Sequence, residues 1–193
     1  MKFNPNECLF IIACEEEDPE GIFIKNAPNV VFSGVGKINA AYHLTKKLGE
    51  IAAPKYVINV GSVGSKKFKL GDVVYCNKFV QRDMNVKPLG YVNYATPSDV
   101  LTNKSKTEYI IEHREVITDL PNAICGTGDS FVEGEDVNND FDVVDMEGYA
   151  LARVCKFEKI DFISLKYISD DFSSSKWIAD AKETARTMYE YLF

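Results

Sequence analysis

Short, nearly continuous apolar runs recur along the chain and alternate with segments of helical period. Runs of this kind are typical of strands buried on both faces, and they lie at 8–14, 29–34, 55–62, 141–146 and 161–170. Residues at helical spacing predict helices over 37–50, 148–158 and 175–193. This alternation predicts an α/β fold, a three-layer α/β/α sandwich around a central, mostly parallel (mixed) sheet.

The remaining stretches fit the same plan. Residues 71–83 and 122–132 predict strands, and the second of these breaks into a glycine-rich loop. The stretch 84–121 is interrupted by proline and glycine and is predicted to be a loop. Because no repeat or linker divides the chain, we expect residues 1–193 to form a single domain.

Charge and cysteine content exclude several classes of partner. A net charge of −7 argues against nucleic acid or an anionic membrane as partner, since both attract basic surfaces. The five cysteines form no C-x-x-C pair, which favours reduced thiols in a reducing compartment over disulfides or zinc. Neither a signal-peptide pattern nor an apolar run of roughly 20 residues is found. We therefore expect a cytoplasmic protein.

Polar and glycine-rich clusters follow the predicted strands. In open α/β sheets, ligands usually bind beyond the carboxyl ends of the strands. Six clusters at such positions predict one shared pocket, and they lie at 15–17, 34–36, 61–64, 128–131, 146–147 and 169–171.

Each cluster taken alone has an ordinary structural explanation. GVGK at 34–37 and GSVG at 61–64 are either tight turns or loops that present backbone N–H groups to a ligand. Glu17 ends an acidic run that either starts a solvated helix or supplies a base for water. Phe131 either packs in the core or stacks on a planar ligand. Asp170 either caps a turn or acts as a general acid.

The sequence DVVDMEGYALARV at 142–154 puts carboxylates where a buried strand meets a helix. Burial of a carboxylate is costly unless it is paired or hydrogen-bonded. Either these residues form a solvated turn, or Met146 and Glu147 face a ligand. His43 and His113 fall outside every cluster and are expected to have surface or packing roles. With no histidine-rich metal set, catalysis is expected to use carboxylates.

In their order along the chain, these motifs resemble the nucleoside phosphorylase/hydrolase superfamily, and within it the methylthioadenosine/S-adenosylhomocysteine nucleosidase group. The resemblance spans most of the chain. It is carried by IIACEEE, SGVGKINAA, INVGSVG, CGTGDSFV, VVDMEGYALARVC and KYISD.

The resemblance implies a role for each site residue. Asp170 would protonate the leaving base, Glu17 would activate water, and Glu147 would bond the ribose hydroxyls. Asp145 is expected to be structural. Substrate contacts are implied for Ser62, Val63 and Gly64 on the ribose side, Met146 against the ribose, Phe131 and Val132 at the purine, Lys166 near the reaction centre, and Ser169 beside the acid.

Together these roles imply a purine nucleosidase that hydrolyses the N-glycosidic bond of a 5′-substituted adenosine-type nucleoside. No metal and no organic cofactor are implied. The resemblance also implies a homodimer in which the loop 82–91 completes the site of the neighbouring subunit.

The arginine that phosphorylases of the superfamily carry just before the loop at 61–64 is absent, which favours hydrolysis. Purine nucleoside phosphorylase and a non-catalytic nucleoside-binding relative remain the alternatives. Three departures from the nucleosidase pattern are visible. Only 16 residues separate Glu17 from Gly34, Lys166 replaces an arginine, and Val63 replaces an alanine.

Overall fold

The protein folds into a mixed sheet with helices on both faces, which confirms the predicted fold class. The computed structural model describes residues 3–97, 110–117, 119–134 and 140–193. Its strands are β1 Cys8–Ile12, β2 Val30–Phe32, β3 Tyr56–Gly64, β4 Val73–Gln81, β5 Ile110–Glu112, β6 Asn122–Thr127, β7 Val143–Asp145 and β8 Asp161–Asp170. Its α-helices are α1 Ile22–Asn26, α2 Lys37–Glu50, α3 Gly148–Glu158, α4 Ser174–Asp180 and α5 Thr184–Leu192.

The sheet closes on itself in its central part. Its strands follow the order β2-β1-β3-β7-β6-β4-β5, and β8 pairs with both β3 and β4. Strands β3, β8, β4, β6 and β7 therefore form a ring of paired strands. Strand β1 lies parallel to β3, and β3 lies parallel to β8, whereas β4 is antiparallel to β8 and β7 is antiparallel to β3.

Alternate residues of the buried strands belong to two hydrophobic cores on opposite faces of the sheet. In β1, Leu9 and Ile11 face α2 and α3, and their core includes Leu44. Phe10 faces the other side, where α1 and α5 pack and where Met188 is buried. The period of two along a strand produces this division, because successive side chains point to opposite faces. Both faces are covered by helices, which explains why the strands are apolar throughout.

Two short segments were missed in the sequence. Helix α1 has only five residues, and it begins where the Asp18 carboxylate accepts hydrogen bonds from the backbone N–H groups of Ile22 and Phe23 at 2.6 and 3.0 Å. Strand β5 lies inside the stretch that was predicted to be a loop, and it pairs antiparallel with β4. Three residues are too few to show a periodic pattern. Residues 98–109 and 118 of that stretch lie outside the described residues.

The prediction of one continuous helix over 175–193 was wrong. The chain forms α4, a 3₁₀ turn at Ala181–Glu183, and then α5. This turn packs against a second 3₁₀ turn, Glu15–Glu17, which follows β1. Neither proline nor glycine marks the break in the sequence. Tertiary packing rather than local propensity therefore sets it.

All five cysteines are free, and four of them are buried. Within the described part of the chain, no helix has the length and apolar character needed to cross a membrane.

Candidate functional site

The six polar clusters meet at one cleft with a volume of about 200 Å³. Most of the predicted site residues line it, namely Glu17, Ser62, Val63, Gly64, Phe131, Val132, Met146, Glu147 and Asp170. Lys166 and Ser169 are buried behind its wall. The prediction that strand ends build a shared pocket is therefore confirmed, although the ring of strands brings together ends from both strand directions.

The pairing of β3 with β8 sets the floor of the cleft. A register shift after Val63 places Gly64 opposite Asp170. A Cβ atom at Gly64 would lie 2.7 Å from Asp170 Oδ1 and 2.9 Å from Phe172 Cδ1. Glycine is required here because only a residue without a side chain leaves room for both groups.

Glu17 turns back from the 3₁₀ turn after β1 into the cleft and is only 4% exposed. Its Oε1 accepts hydrogen bonds from both the backbone N–H and the hydroxyl of Ser62, each at 2.6 Å. Its Oε2 accepts one from the Ala13 N–H at 3.3 Å. Burial raises the pKa of Glu17, and the hydrogen bonds from Ser62 and the charge of Lys166 oppose that rise. Glu17 therefore lies in the cleft even though the segment between Glu17 and Gly34 is short.

Glu147 lies at the junction between β7 and α3. Its Oε1 accepts a hydrogen bond from the backbone N–H of Gly36 at 2.7 Å. Gly36 has a φ of 95°, a conformation that favours glycine. Burial, followed by the negative charge of Asp145, raises the pKa of Glu147 to about 8. The glycine loop at 34–36 therefore presents its backbone donor to a protein carboxyl group.

Asp170 ends β8 with its carboxyl group turned into the cleft. Its Oδ2 accepts a hydrogen bond from the Ser169 hydroxyl, and its Oδ1 accepts one from the Phe172 N–H, both at 2.9 Å. Burial raises the pKa of Asp170, although these hydrogen bonds oppose the rise. Asp170 therefore caps the turn, as one of the two explanations weighed from the sequence expects, and its carboxyl group also lines the cleft.

An ion pair lies behind the carboxylates of the cleft. Lys166 Nζ is 2.9 Å from Asp145 Oδ2, and both side chains are 1% exposed. Burial would lower the pKa of Lys166, but the charge of Asp145 outweighs it and raises that pKa. Asp145 also accepts hydrogen bonds from the Thr127 hydroxyl at 2.6 Å and the Gly148 N–H at 2.9 Å. These contacts agree with the structural role expected for Asp145.

Phe131 is 45% exposed at the edge of the cleft, so the explanation that it packs in the core was wrong. The segment before it is held by Arg82, whose guanidinium donates to the Gly128 carbonyl at 3.2 Å and to the Ser130 carbonyl. Lys37 Nζ joins this network through Asp83 at 2.5 Å.

The two histidines remain outside the cleft. His113 is buried, and its Nε2 lies 2.8 Å from the carbonyl of Ala152, which confirms a packing role. Burial lowers the pKa of His113 to about 4. Among residues that the structure describes, no group of three or more histidine, cysteine or acidic side chains is arranged to hold a metal ion.

Several cleft residues were missed in the sequence. Trp177 of α4 is the most informative, because its indole N–H donates to the Ser62 hydroxyl at 2.9 Å. In the sequence it stands at helical spacing within the predicted helix 175–193. Nothing near it in sequence distinguishes it from a core residue. The other missed residues that line the cleft are Ala13, Cys14, Val144 and Phe172, and Asp145, which was expected to be structural, lines it as well.

The cleft and the sheet together define a family. Residues 22–190 match the model of the Phosphorylase superfamily, and the chain belongs to this family. The match begins after Glu17, so the position of Glu17 rests on the geometry of the cleft.

Curated relatives identify a narrower group. The 5′-methylthioadenosine/S-adenosylhomocysteine nucleosidase of Marinomonas sp. (strain MWYL1) is 32% identical over an alignment of 174 residues, and the alignment covers 83% of this chain and 71% of that relative. The protein of the same name from Staphylococcus haemolyticus (strain JCSC1435) is 30% identical over 188 residues, with 86% and 82% of the two chains covered. The resemblance identified in the sequence is therefore confirmed.

Solved structures share the fold. The 5′-methylthioadenosine/S-adenosylhomocysteine nucleosidase of Helicobacter pylori superposes with a TM-score of 0.82 over 98% of this chain and 97% of that chain, at 18% identity. The futalosine hydrolase of the same organism superposes with a TM-score of 0.81, at 19% identity, over 96% and 94% of the two chains. At such identities the likeness supports the fold alone.

The close approach at Gly64 yields a test of stability. We expect Gly64→Ala to lower the free energy of unfolding by about 1–3 kcal/mol, because the added methyl group overlaps Asp170 and Phe172. Gly49→Ala in α2 is the matched control, since nothing lies within 4 Å of its Cβ position. It should stabilise the protein by about 0.5–1 kcal/mol through helix propensity. Chemical denaturation of both variants measures this, and a loss of equal size in both would contradict it.

Proposed function

We propose that this protein is a purine nucleosidase that hydrolyses the N-glycosidic bond of a 5′-substituted adenosine-type nucleoside. The observation that carries the proposal is the convergence of Glu17, Glu147 and Asp170 on one cleft. Breaking an N-glycosidic bond leaves positive charge on the sugar, and carboxylates placed around it stabilise that charge in the transition state. The relatives named as nucleosidases support the same conclusion.

Asp170 is the acid in this mechanism. A purine leaves poorly as an anion, so proton transfer to the base assists bond cleavage. The acid must therefore hold its proton near neutral pH, which requires a desolvated carboxyl group. Burial raises the pKa of Asp170 in the direction that this role needs. The Ser169 hydroxyl fixes the orientation of the carboxyl group.

Glu17 is the base that orients the attacking water. A carboxylate whose pKa is raised toward neutral pH takes a proton more readily than an ordinary glutamate. Its Oε1 is occupied by two donors of Ser62, whereas Oε2 accepts only the longer bond from Ala13. Oε2 is thus the oxygen available to a water molecule.

Glu147 holds the ribose. Burial next to Asp145 favours its protonated form. Ribose hydroxyls that donate to Glu147 favour the ionised form, because hydrogen bonds to a carboxylate lower its pKa. Substrate binding then places a negative charge where the cationic sugar develops. Met146 and Val63 supply apolar walls beside it.

The charge of the cleft favours hydrolysis over phosphorolysis. Its lining residues, taken from the described parts of the chain, include the four acids Glu17, Asp145, Glu147 and Asp170 and neither lysine nor arginine. A phosphate dianion brought to this lining would meet the ionised Glu17 and no cationic side chain, whereas neutral water is not repelled. Lys166 is engaged by Asp145 behind the wall and does not line the cleft.

Turnover tests the proposal. Purified protein is incubated with methylthioadenosine, S-adenosylhomocysteine, adenosine and futalosine, each with and without phosphate, and the products are separated by chromatography. We expect release of the base and a free sugar without phosphate. Asp170→Asn should lower kcat by about 10²-fold or more, because general acid catalysis contributes that much.

The neighbouring Asp171 offers a matched control. It is exposed and paired with Lys176 at 2.6 Å, so Asp171→Asn should retain turnover. Sugar 1-phosphate formed only with phosphate would establish the phosphorylase alternative. Binding without release of base by the wild-type protein would establish the non-catalytic alternative.

The proposal includes a homodimer and a cytoplasmic location, the latter supported by the free thiols. Val35, Ile38 and Tyr42 are 47%, 81% and 59% exposed, and they form an apolar face at the cleft mouth and on α2. A second copy that covers this face removes apolar surface from water.

Light scattering after size exclusion should give twice the mass of one chain. Ile38→Glu should yield single chains, because the added charge would have to be desolvated at the interface. A wild-type protein that runs as one chain at micromolar concentration would contradict the homodimer.

A further inference from the structure

Trp177 reaches into the cleft from α4 and contacts the residue that holds Glu17. Its indole Nε1 lies 2.9 Å from Ser62 Oγ, and Ser62 Oγ lies 2.6 Å from Glu17 Oε1. The three side chains come from widely separated parts of the sequence. They form a continuous hydrogen-bonded chain along one wall of the cleft.

The chemistry of the three groups fixes the direction of each hydrogen bond. An indole N–H can only donate, so the Ser62 hydroxyl must be the acceptor from Trp177. A hydroxyl has a single proton. Because a lone pair of the Ser62 oxygen accepts from Trp177, the hydroxyl proton can be donated to Glu17. Donation from the indole polarises the hydroxyl and strengthens the bond that it makes to the carboxylate.

We propose that Trp177 is a positioning residue, which acts through Ser62 to hold Glu17 in its ionised form and to leave Glu17 Oε2 facing the substrate. The inference deepens the proposed nucleosidase function and rests on it for its role in turnover. The hydrogen-bonded chain itself can be tested without any substrate.

Other charged groups also face Glu17. Lys166 of β8 and Glu147 beyond β7 interact with it electrostatically, as does Cys14 in its own segment. The 3₁₀ turn that carries Lys182 and Glu183 packs against the turn of Glu17. Replacement of Trp177 by phenylalanine changes none of these charges and keeps an aromatic wall. A shift in the pKa of Glu17 therefore reports the lost donor.

The first experiment measures the pKa of Glu17 directly. The protein is labelled with glutamate carrying ¹³C in the side-chain carboxyl group, and the Glu17 resonance is identified by its loss in Glu17→Gln. We expect Trp177→Phe to raise the pKa of Glu17 by about 0.3–1 unit, the equivalent of one net hydrogen bond. In the Ser62→Ala background, the same substitution should cause no further shift. Ile178→Ala, at an exposed neighbour on α4, is the control and should leave the pKa unchanged.

A second measurement uses the wild-type fold. Trp177 is the single tryptophan of the chain, so all indole fluorescence comes from it. Its emission should change with pH at the midpoint of Glu17 ionisation, and this change should be absent in Glu17→Gln. An unchanged Glu17 pKa in Trp177→Phe, an equal shift in the Ser62→Ala background, or emission independent of Glu17 would overturn the inference.

Turnover separates this inference from the proposed function. If the protein is a nucleosidase, Trp177→Phe should lower kcat severalfold with little change in KM. The pH below which kcat/KM falls should rise together with the pKa of Glu17. A shift in the pKa of Glu17 without any nucleoside cleavage would refute the proposed function but support the hydrogen-bonded chain. Nucleoside cleavage without a shift in the pKa of Glu17 would support the proposed function and refute the hydrogen-bonded chain.

Discussion

The buried ion pair between Lys166 and Asp145 allows an acidic cleft to exist in this fold. Desolvated carboxylates that converge on one cavity repel one another and lose hydration. Lys166 lies behind them and interacts with Glu17 and Glu147 as well as with Asp145. A Cβ atom at Gly61 would lie 3.1 Å from Lys166 Nζ, so the bare backbone of β3 makes room for the ammonium group. Removal of one member of a buried pair typically costs about 3–5 kcal/mol, because the other charge is left without its partner.

Beside this cation, the local surroundings shift the pKa values of similar carboxyl groups differently. Asp145 receives the charge of Lys166 and a hydrogen bond from the Thr127 hydroxyl, and these hold its pKa below the ordinary value despite burial. Glu17 receives several donors but only the more distant influence of Lys166, and burial raises its pKa. Asp170 is held by Ser169 and the following turn, with burial again dominant. In the proposed mechanism, Asp145 is the anion in the wall, Glu17 is the base and Asp170 is the acid.

Features that depend on local residue chemistry and on the periodicity of apolar residues could be predicted from the sequence. Apolar runs predicted the long strands, because burial on both faces demands them, and the polar clusters predicted which strand ends meet. Glu17 and Asp170 could be assigned to a common cleft from their positions after β1 and at the end of β8. The antiparallel contact of β3 with β7, which closes the ring of strands, had no local signal.

Features that depend on distant contacts could not be predicted. Helix α1 is held by the Asp18 side chain, and β5 exists because β4 offers an open edge. The break between α4 and α5 follows from packing against the turn at Glu15–Glu17. Helix α4 packs against β8 and brings Trp177 to Ser62, a tertiary contact that a helical pattern could not distinguish from core packing.

We propose that the acidic cleft stabilises a positively charged sugar in the transition state. The most direct test compares the affinities of two purine nucleoside analogues by titration calorimetry without phosphate. In one analogue a protonated hydroxypyrrolidine replaces the ribose, and in the other a neutral carbocycle of the same shape replaces it. We expect the cationic analogue to bind about 10²-fold more tightly or better, as transition-state mimics do. Equal or weaker binding of the cation would contradict the account.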